Sequence, residues 1–320
     1  MESPEIIQWK DEGYTIIGNL LDKEILVNSK ECLSNLYENG ELSTKDFGSN
    51  GKLDFPSNTI LDQISINEKI INCVQKLLGT DEVLLIQSDA WGKRGHSDYS
   101  EQSNNDQRMH MDYGNNTFLH PSEWDKPEAV AMIIYLSDVK QTLGGTSLVA
   151  RNGKDDKAYE YPYINMPGQN KHPFINDKTN AEKYFEENNP EIYNFRKNLY
   201  QREQILTPNF GDILFYRLDL WHRGTPVKEG EIRFVMNLLW KKKECFWINC
   251  WNPGWTKWMY YGQLEQLFTD MTPLQRSVLG IPLPGNSYWN LEKIQLLKAR
   301  YPNIDTDPYI TTLNRNNNIC

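Results

Sequence analysis

Four polar side chains, drawn from three stretches of the chain, are of the types and spacings that could hold a reactive metal ion and an anion beside it. In QRMHMDYG, His110 and Asp112 are separated by one residue, and on an extended segment positions i and i+2 face the same side, so an imidazole and a carboxylate are presented together. A second imidazole, His222, follows a long way downstream in RLDLWHRGT, and Arg233 lies eleven residues beyond it. Two histidines and one carboxylate suit non-heme iron(II), because they occupy one face of an octahedron and leave three positions open for other ligands. Zinc could use the same three groups to hold a water with its pKa lowered towards neutrality. A jelly-roll protein that binds a ligand without transforming it is the third reading. Arg233 has no evident role in a zinc hydrolase, and a decayed site would be expected to have lost at least one of the four residues.

His-x-Asp alone is a weak motif, so the elements around it carry the weight. Ile213 to Leu218 and Ile232 to Trp240 are β-rich apolar runs separated by a turn region with Gly224, Pro226 and Gly230, which predicts a hairpin presenting His222 and Arg233 to one cavity. Ala129 to Leu136 is apolar nearly throughout, as a central strand would be, and a Gly-Gly turn leads from it to a further strand, Thr146 to Ala150. Glu82 to Lys93 (EVLLIQSDAWGK) alternates so that Gln87, Asp89, Trp91 and Lys93 share one face. Near the start, GYTIIGNLL reads as a strand. A helix N-capped by Asp22 follows it, with Ile25, Leu26, Cys32, Leu33 and Leu36 on one face. Residues 40 to 63 read as loop, and Asn67 to Leu78 as a helix stopped by Gly79.

With these residues in place the chain resembles the phytanoyl-CoA dioxygenase family of iron(II)- and 2-oxoglutarate-dependent oxygenases. The opening WKDEGYTIIGNLLDKEIL and the later TPLQRSVLGIPLPGNSYW are also similar to segments of that family. The resemblance implies a mainly β fold with flanking helices, a double-stranded β-helix or jelly-roll, cupin-like barrel. It implies His110, Asp112 and His222 as iron ligands, Arg233 as the partner of the cosubstrate's distal carboxylate, and Gln87 as a further cosubstrate contact; Thr225, three residues after His222, is an additional candidate contact by position. Lys93, six residues after Gln87, has the family spacing but reads as a polar residue on a solvent-facing strand edge. The cofactors implied are Fe(II), 2-oxoglutarate and O2. The activity implied is that of a dioxygenase hydroxylating a small organic molecule, with succinate and CO2 as coproducts. Related halogenases lack the carboxylate ligand, so the aspartate points to hydroxylation. The chain departs from the family where relatives carry Pro-Gly-Ser-His; here stand Ala150, Arg151, Asn152 and Gly153.

Length and composition set the remaining bounds. The 320 residues fit one dioxygenase domain spanning 1–320, with a long polar and aromatic insertion at about 154–202 and an aromatic-rich C-terminal extension at about 245–320. A helix is predicted near Ala181 to Asn188, and a connection of that length is expected to shape the substrate mouth. CFWINCWNPGWTKWMYY reads as a packed aromatic layer. The formal charge of −9 argues against nucleic acid, which wants clustered Lys and Arg. His120 and His172 each lie beside a proline and read as structural. Five cysteines without a Cys-x-x-Cys pair indicate neither a zinc ribbon nor a disulfide scaffold. No apolar segment has the length of a signal peptide or membrane span, so the expected location is cytoplasmic and the expected partner a small molecule.

Overall fold

The structure is a computed structural model, and it describes residues 2–43, 51–96, 106–112, 119, 127–153, 155–160, 165–169, 171–245, 248, 268–277 and 281–317. Nine strands form two sheets among these residues: β1 (Tyr14–Ile17), β2 (Lys52–Asp54), β3 (Val83–Arg94), β4 (Ala129–Tyr135), β5 (Thr146–Leu148), β6 (Gln204–Ile205), β7 (Ile213–Tyr216), β8 (His222–Gly224) and β9 (Ile232–Lys242). The large sheet has the order β1-β7-β4-β9-β3-β2 and the small one β6-β5-β8. All pairings are antiparallel. This is the jelly-roll barrel with flanking helices.

The predicted hairpin is not formed. Strands β7 and β9 both pair with β4, one on each side of it, and the chain between them crosses to the small sheet as β8 before returning. His222 and Arg233 therefore sit on opposite walls of the barrel, which still lets both face inward. A run of apolar residues on either side of a turn predicts strands but not their pairing, and the better partner for each was a third strand buried on both faces.

Strand β4 shows why it is central. Ala129, Ala131 and Tyr135 join the core inside the barrel, while Val130, Met132 and Ile134 join a second core outside it. The second core is covered by α1 (Pro4–Glu12), α2 (Lys23–Glu38), α3 (Leu61–Ser65) and α4 (Glu68–Leu78), which contribute Trp9, Leu26, Leu33, Ile64, Ile70, Val74 and Leu77. Helix α4 opens on Asn67, whose side chain accepts from the Lys69 N–H, and stops at Gly79 with φ of 68°, the left-handed geometry glycine adopts without penalty. Asp22 stands at the N-cap of α2 without capping it; its carboxylate takes Lys69 instead, at 2.7 Å. The stretch expected to be loop at 40–63 contributes β2 and the start of α3.

After α5 (Val139–Thr142), the 154–202 insertion holds two helices, α6 (Lys178–Asn188) and α7 (Pro190–Arg202), where one was expected. Asn189, between them, caps the second through its side chain. The chain ends in α8 (Pro273–Ser277), α9 (Leu291–Arg300) and α10 (Asp307–Asn317). Ile294, Leu297, Tyr301 and Tyr309 of this region are continuous with the barrel core. His172 packs edge-on against Phe185, with ring centroids 4.9 Å apart, in keeping with a structural role. Most of the aromatic segment after Cys245, and also His120, Cys250 and Cys320, lie outside the described residues. No helix among those described is long and apolar enough to cross a membrane.

Candidate active site

His110 lies at the edge of the small sheet, where its N–H and C=O exchange hydrogen bonds of 2.9 and 2.8 Å with those of His222 on β8. That pairing sets the two imidazoles side by side, with ring centroids 4.5 Å apart. Each ring offers Nδ1 to a backbone carbonyl two residues earlier, His110 to Arg108 at 3.0 Å and His222 to Leu220 at 2.9 Å. A carbonyl only accepts, so Nδ1 carries the proton in both rings and Nε2 is left with a lone pair. Asp112 supplies the third donor, its Oδ1 standing 4.0 Å from Nε2 of His110 and 3.5 Å from Nε2 of His222. The three donor atoms lie within 4.8 Å of one another. Cis ligands with bonds of about 2.1 Å stand about 3 Å apart, so small side-chain rotations close these atoms onto one cation.

The electrostatics agree. Burial alone would push the Asp112 carboxyl up, but His222, His110 and a hydrogen bond from Tyr216 outweigh it and hold it at about 2. Burial and the neighbouring His222 keep His110 well below the usual imidazole range, hence neutral. Burial also lowers His222, but the Asp112 charge more than offsets this and raises it. The set is an anionic carboxylate between two nitrogen donors, which fits a divalent metal.

Tyr216 was not singled out from sequence, although it occupies an inward position of β7, two residues from Leu214. Its hydroxyl donates to Asp112 Oδ2 at 2.6 Å, leaving Oδ1 for the metal. Substituting Tyr216→Phe is expected to weaken iron(II) binding roughly 10- to 100-fold, the usual cost of losing an outer partner of a metal ligand, with the fold retained; metal titration and thermal unfolding measure the two effects.

The insertion supports the ligand segment from behind. Arg196 of α7 is fully buried, and it donates to the carbonyls of Met109 and Asn165 and to Glu182 of α6. Tyr200 takes the Met109 N–H at 3.0 Å and donates to Glu182 at 2.8 Å. Both backbone groups of Met109, next to His110, are thus fixed by the insertion. Removing one member of such a buried ion pair is strongly destabilising, so Arg196→Met is expected to cost about 3 kcal/mol, read by denaturant unfolding.

Arg233 begins the opposite wall, on β9. It is 5% exposed, lies with its guanidinium 5.0 Å from the Trp91 ring centroid and donates through Nη1 to the Gly144 carbonyl. Its Nε has no hydrogen bond, and no carboxylate among the described residues pairs with it. Lys93 stands directly across the ladder from Arg233. It is 4% exposed and donates to the Thr225 carbonyl at 3.0 Å, so the solvent-facing strand edge expected for it is corrected. Burial and the adjacent Arg233 push its ammonium down to about 7.

The Gly-Gly turn joins these groups. Gly144 accepts from Arg233, and Gly145 accepts from the Thr225 hydroxyl at 2.7 Å. A Cβ at Gly145 would stand 2.1 Å from the Leu206 carbonyl oxygen, so only glycine lets the turn approach that closely. Thr225 is therefore close to Arg233 and Lys93, with its hydroxyl already engaged. Gln87 is not close to them. It pairs with Leu239, six residues along β9 from Arg233, and its amide donates to Asp89 at 2.6 Å. Arg151, at the departure from the family pattern, is buried against Asp219 and stacked on Tyr159.

Comparisons with known proteins bear on the fold. No family model matches the chain, and no curated protein matches it in sequence. Among solved structures it is similar to the non-heme α-ketoglutarate-dependent carbocyclase SnoK from nogalamycin biosynthesis, at 14% identity and a TM-score of 0.54 over 89% of this chain and 94% of that one. The epimerase SnoN in complex with Fe3+, α-ketoglutarate and nogalamycin RO matches at 12% identity and 0.52 over 77% and 85%. EctD from S. alaskensis with bound Fe matches at 12% and 0.51 over 75% and 76%. The chain shares their barrel fold.

Proposed function

We propose that the protein is an iron(II)- and 2-oxoglutarate-dependent dioxygenase acting on a small organic substrate. The carrying observation is that two histidines and an aspartate converge on one wall of a jelly-roll barrel while a buried arginine, without a carboxylate partner among the described residues, lies on the other. Neither half alone is specific. A structural arginine buried this deeply is expected to have an acidic partner, and Arg233 has its planar fork set beside Lys93 instead. A dicarboxylate supplies the missing charge.

In this reading His110, Asp112 and His222 hold iron(II), Tyr216 orients the carboxylate ligand, and Arg233, Lys93 and the Thr225 neighbourhood hold the distal carboxylate of 2-oxoglutarate. Arginine suits this because its fork forms two parallel charge-assisted hydrogen bonds. The metal, when bound, supplies oxygen activation; the chain supplies orientation and a dry cavity. The net reaction we propose takes a substrate C–H, O2 and 2-oxoglutarate to C–OH, succinate and CO2. The structural relatives named as an epimerase and a carbocyclase act otherwise, so product analysis decides the outcome; stoichiometric succinate with an oxygenated product supports hydroxylation, and an unoxygenated product refutes it.

Lys93 gives this reading a pH signature. A doubly charged cosubstrate binds the ammonium form, and in the unbound chain that form is lost as pH rises through about 7. The dissociation constant of 2-oxoglutarate is therefore expected to rise with pH above that point, by up to about tenfold per unit until the pKa of the complex is reached. Lys93→Met flattens the profile, which equilibrium titration between pH 6 and 9 checks.

A further inference from the structure

The inward face of the large sheet carries one more charged group that neither the metal nor the cosubstrate uses. Asp89 stands in the middle of β3, opposite Asn237 on β9 and Asp54 on β2. It faces into the barrel with Trp91 and Lys93, because the intervening Ala90 packs into the outer core beneath the helices. It is 2% exposed. Gln87 donates to Oδ2 at 2.6 Å, but Oδ1 has no hydrogen bond, and neither has Oδ1 of Asn237 across the ladder. Lys52 stands 3.8 Å from Oδ2, too far to donate, and makes its short contact of 2.7 Å with Asp54.

Position ties this group to the metal side of the chamber. Along β9, Arg233 and Asn237 are four residues apart, about 13 Å on an extended strand, so Asp89 lies well beyond the Arg233 end. The next inward row joins Gln87, Leu239, Ala131 and Tyr216, and Tyr216 is the residue that holds Asp112. The Asp89 charge is among those acting on that phenol.

Two adjacent buried oxygens, one of them part of a carboxylate, are left without donors. Buried acceptors are nearly always satisfied, and an exception calls for a reason. Gln87 is already committed to Oδ2, and the Asn237 amide N–H, which also acts on the Asp89 carboxyl, does not outweigh burial, which pushes that carboxyl up. What the pair lacks is a donor to each Oδ1 and a positive charge in hydrogen-bonding contact, Lys52 being 3.8 Å away and on the other oxygen, and a protonated nitrogen supplies both. A neutral alcohol supplies the donor without the charge, and an anion is repelled. We propose that Asp89 and Asn237 are the substrate anchor, and that the substrate is an organic cation, an amine or a guanidine, bound through its charged nitrogen with the carbon to be attacked directed at the metal. This rests on the oxygenase reading for its purpose, though the anchor itself does not require iron.

The test uses the full chain and four probes with short alkyl tails and different head groups: butylamine, butylguanidine, 1-butanol and butyrate. Binding to metal-free protein is followed by ligand-observed NMR, and the visible absorption of the anaerobic iron(II)–2-oxoglutarate complex is recorded separately. The two cations are expected to bind at least tenfold more tightly than butanol, with butyrate weaker still. Asp89→Asn removes that preference, Asn237→Leu weakens cation binding at least threefold, and both variants keep the absorption band. Because Asp89→Asn removes a buried, incompletely paired charge, it is expected to unfold at the same temperature as the parent or higher. Failure of all four probes to bind the parent, equal binding of amine and alcohol, or an Asp89→Asn protein that is less stable yet binds butylamine unchanged overturns the anchor. Should Asp89→Asn fail to fold, Asn237→Leu decides in the same way. An intact preference for cations without an absorption band in the parent removes the oxygenase reading and leaves the anchor in place.

Discussion

Asp112→Ala, purified as a folded protein, is expected to bind iron(II) about a thousandfold more weakly than the parent and to form no detectable succinate. The size follows from what the carboxylate does. It is the one anionic donor of the three, it is held at about 2 by the two imidazoles and the Tyr216 hydroxyl, and it sits where burial magnifies its attraction for a divalent cation. Losing one partner of a buried charged contact costs about 3 to 5 kcal/mol, and each 1.4 kcal/mol is a factor of ten in affinity. The two histidines remain paired through their backbones, so the fold is expected to survive. Iron titration and thermal unfolding on the same preparation separate the effects. A variant that binds iron within threefold of the parent would show that Asp112 is not a ligand.

The second large effect is at Arg233. If it binds 2-oxoglutarate as proposed, replacing it by leucine removes two charge-assisted hydrogen bonds, each worth about 1.5 to 3 kcal/mol, and the dissociation constant of 2-oxoglutarate is expected to rise about a thousandfold. Arg233→Lys, which keeps the charge and loses the fork, recovers only part of this. Stability is expected to move the other way. The guanidinium is buried, with its pKa pushed down by that burial and no acidic partner among the described residues, so leucine relieves the chain of an uncompensated charge, which offsets the packing lost with the longer side chain. Loss of cosubstrate affinity together with an unchanged or raised unfolding temperature is the combined result to look for. A fall in stability with 2-oxoglutarate binding intact would mark Arg233 as a structural residue.

What the sequence made legible was local chemistry. His110 and Asp112 share a face because extended backbone repeats every two residues, and β4 could be recognised as central because every position in it is apolar. Strand pairing was another matter. Whether β7 joins β9 or β4 depends on burial across the whole sheet, which no window of sequence contains. The same limit hid Lys93. Alternation placed it correctly on the face shared with Trp91, but only the fold shows that this face looks into the barrel. Gln87 and Lys93 lie on that face six residues apart, and the structure separates their roles, giving one to Asp89 and the other to the Arg233 end.

Two supporting groups had no motif to betray them. Arg196 and Tyr200 act through the backbone of Met109, across a long separation in the chain, and nothing in a run of polar residues distinguishes an arginine that will be fully buried from one that will stay in water. Tyr216 was closer to being readable, since it breaks an apolar run at an inward position. The polar interruptions of inward faces, Asp89, Lys93, Arg233 and Asn237, are the residues a second reading of the sequence would examine first, because each costs stability unless the fold or a ligand satisfies it.

Iron(II) and 2-oxoglutarate must meet in one chamber for the proposed reaction to occur. Under anaerobic conditions, adding 2-oxoglutarate to the iron(II)-loaded chain should produce a visible charge-transfer band that saturates at one cosubstrate per chain and disappears in Asp112→Ala and in Arg233→Leu at the same cosubstrate concentration. A chain that takes up the metal yet shows no band and no measurable affinity for 2-oxoglutarate would contradict the oxygenase reading.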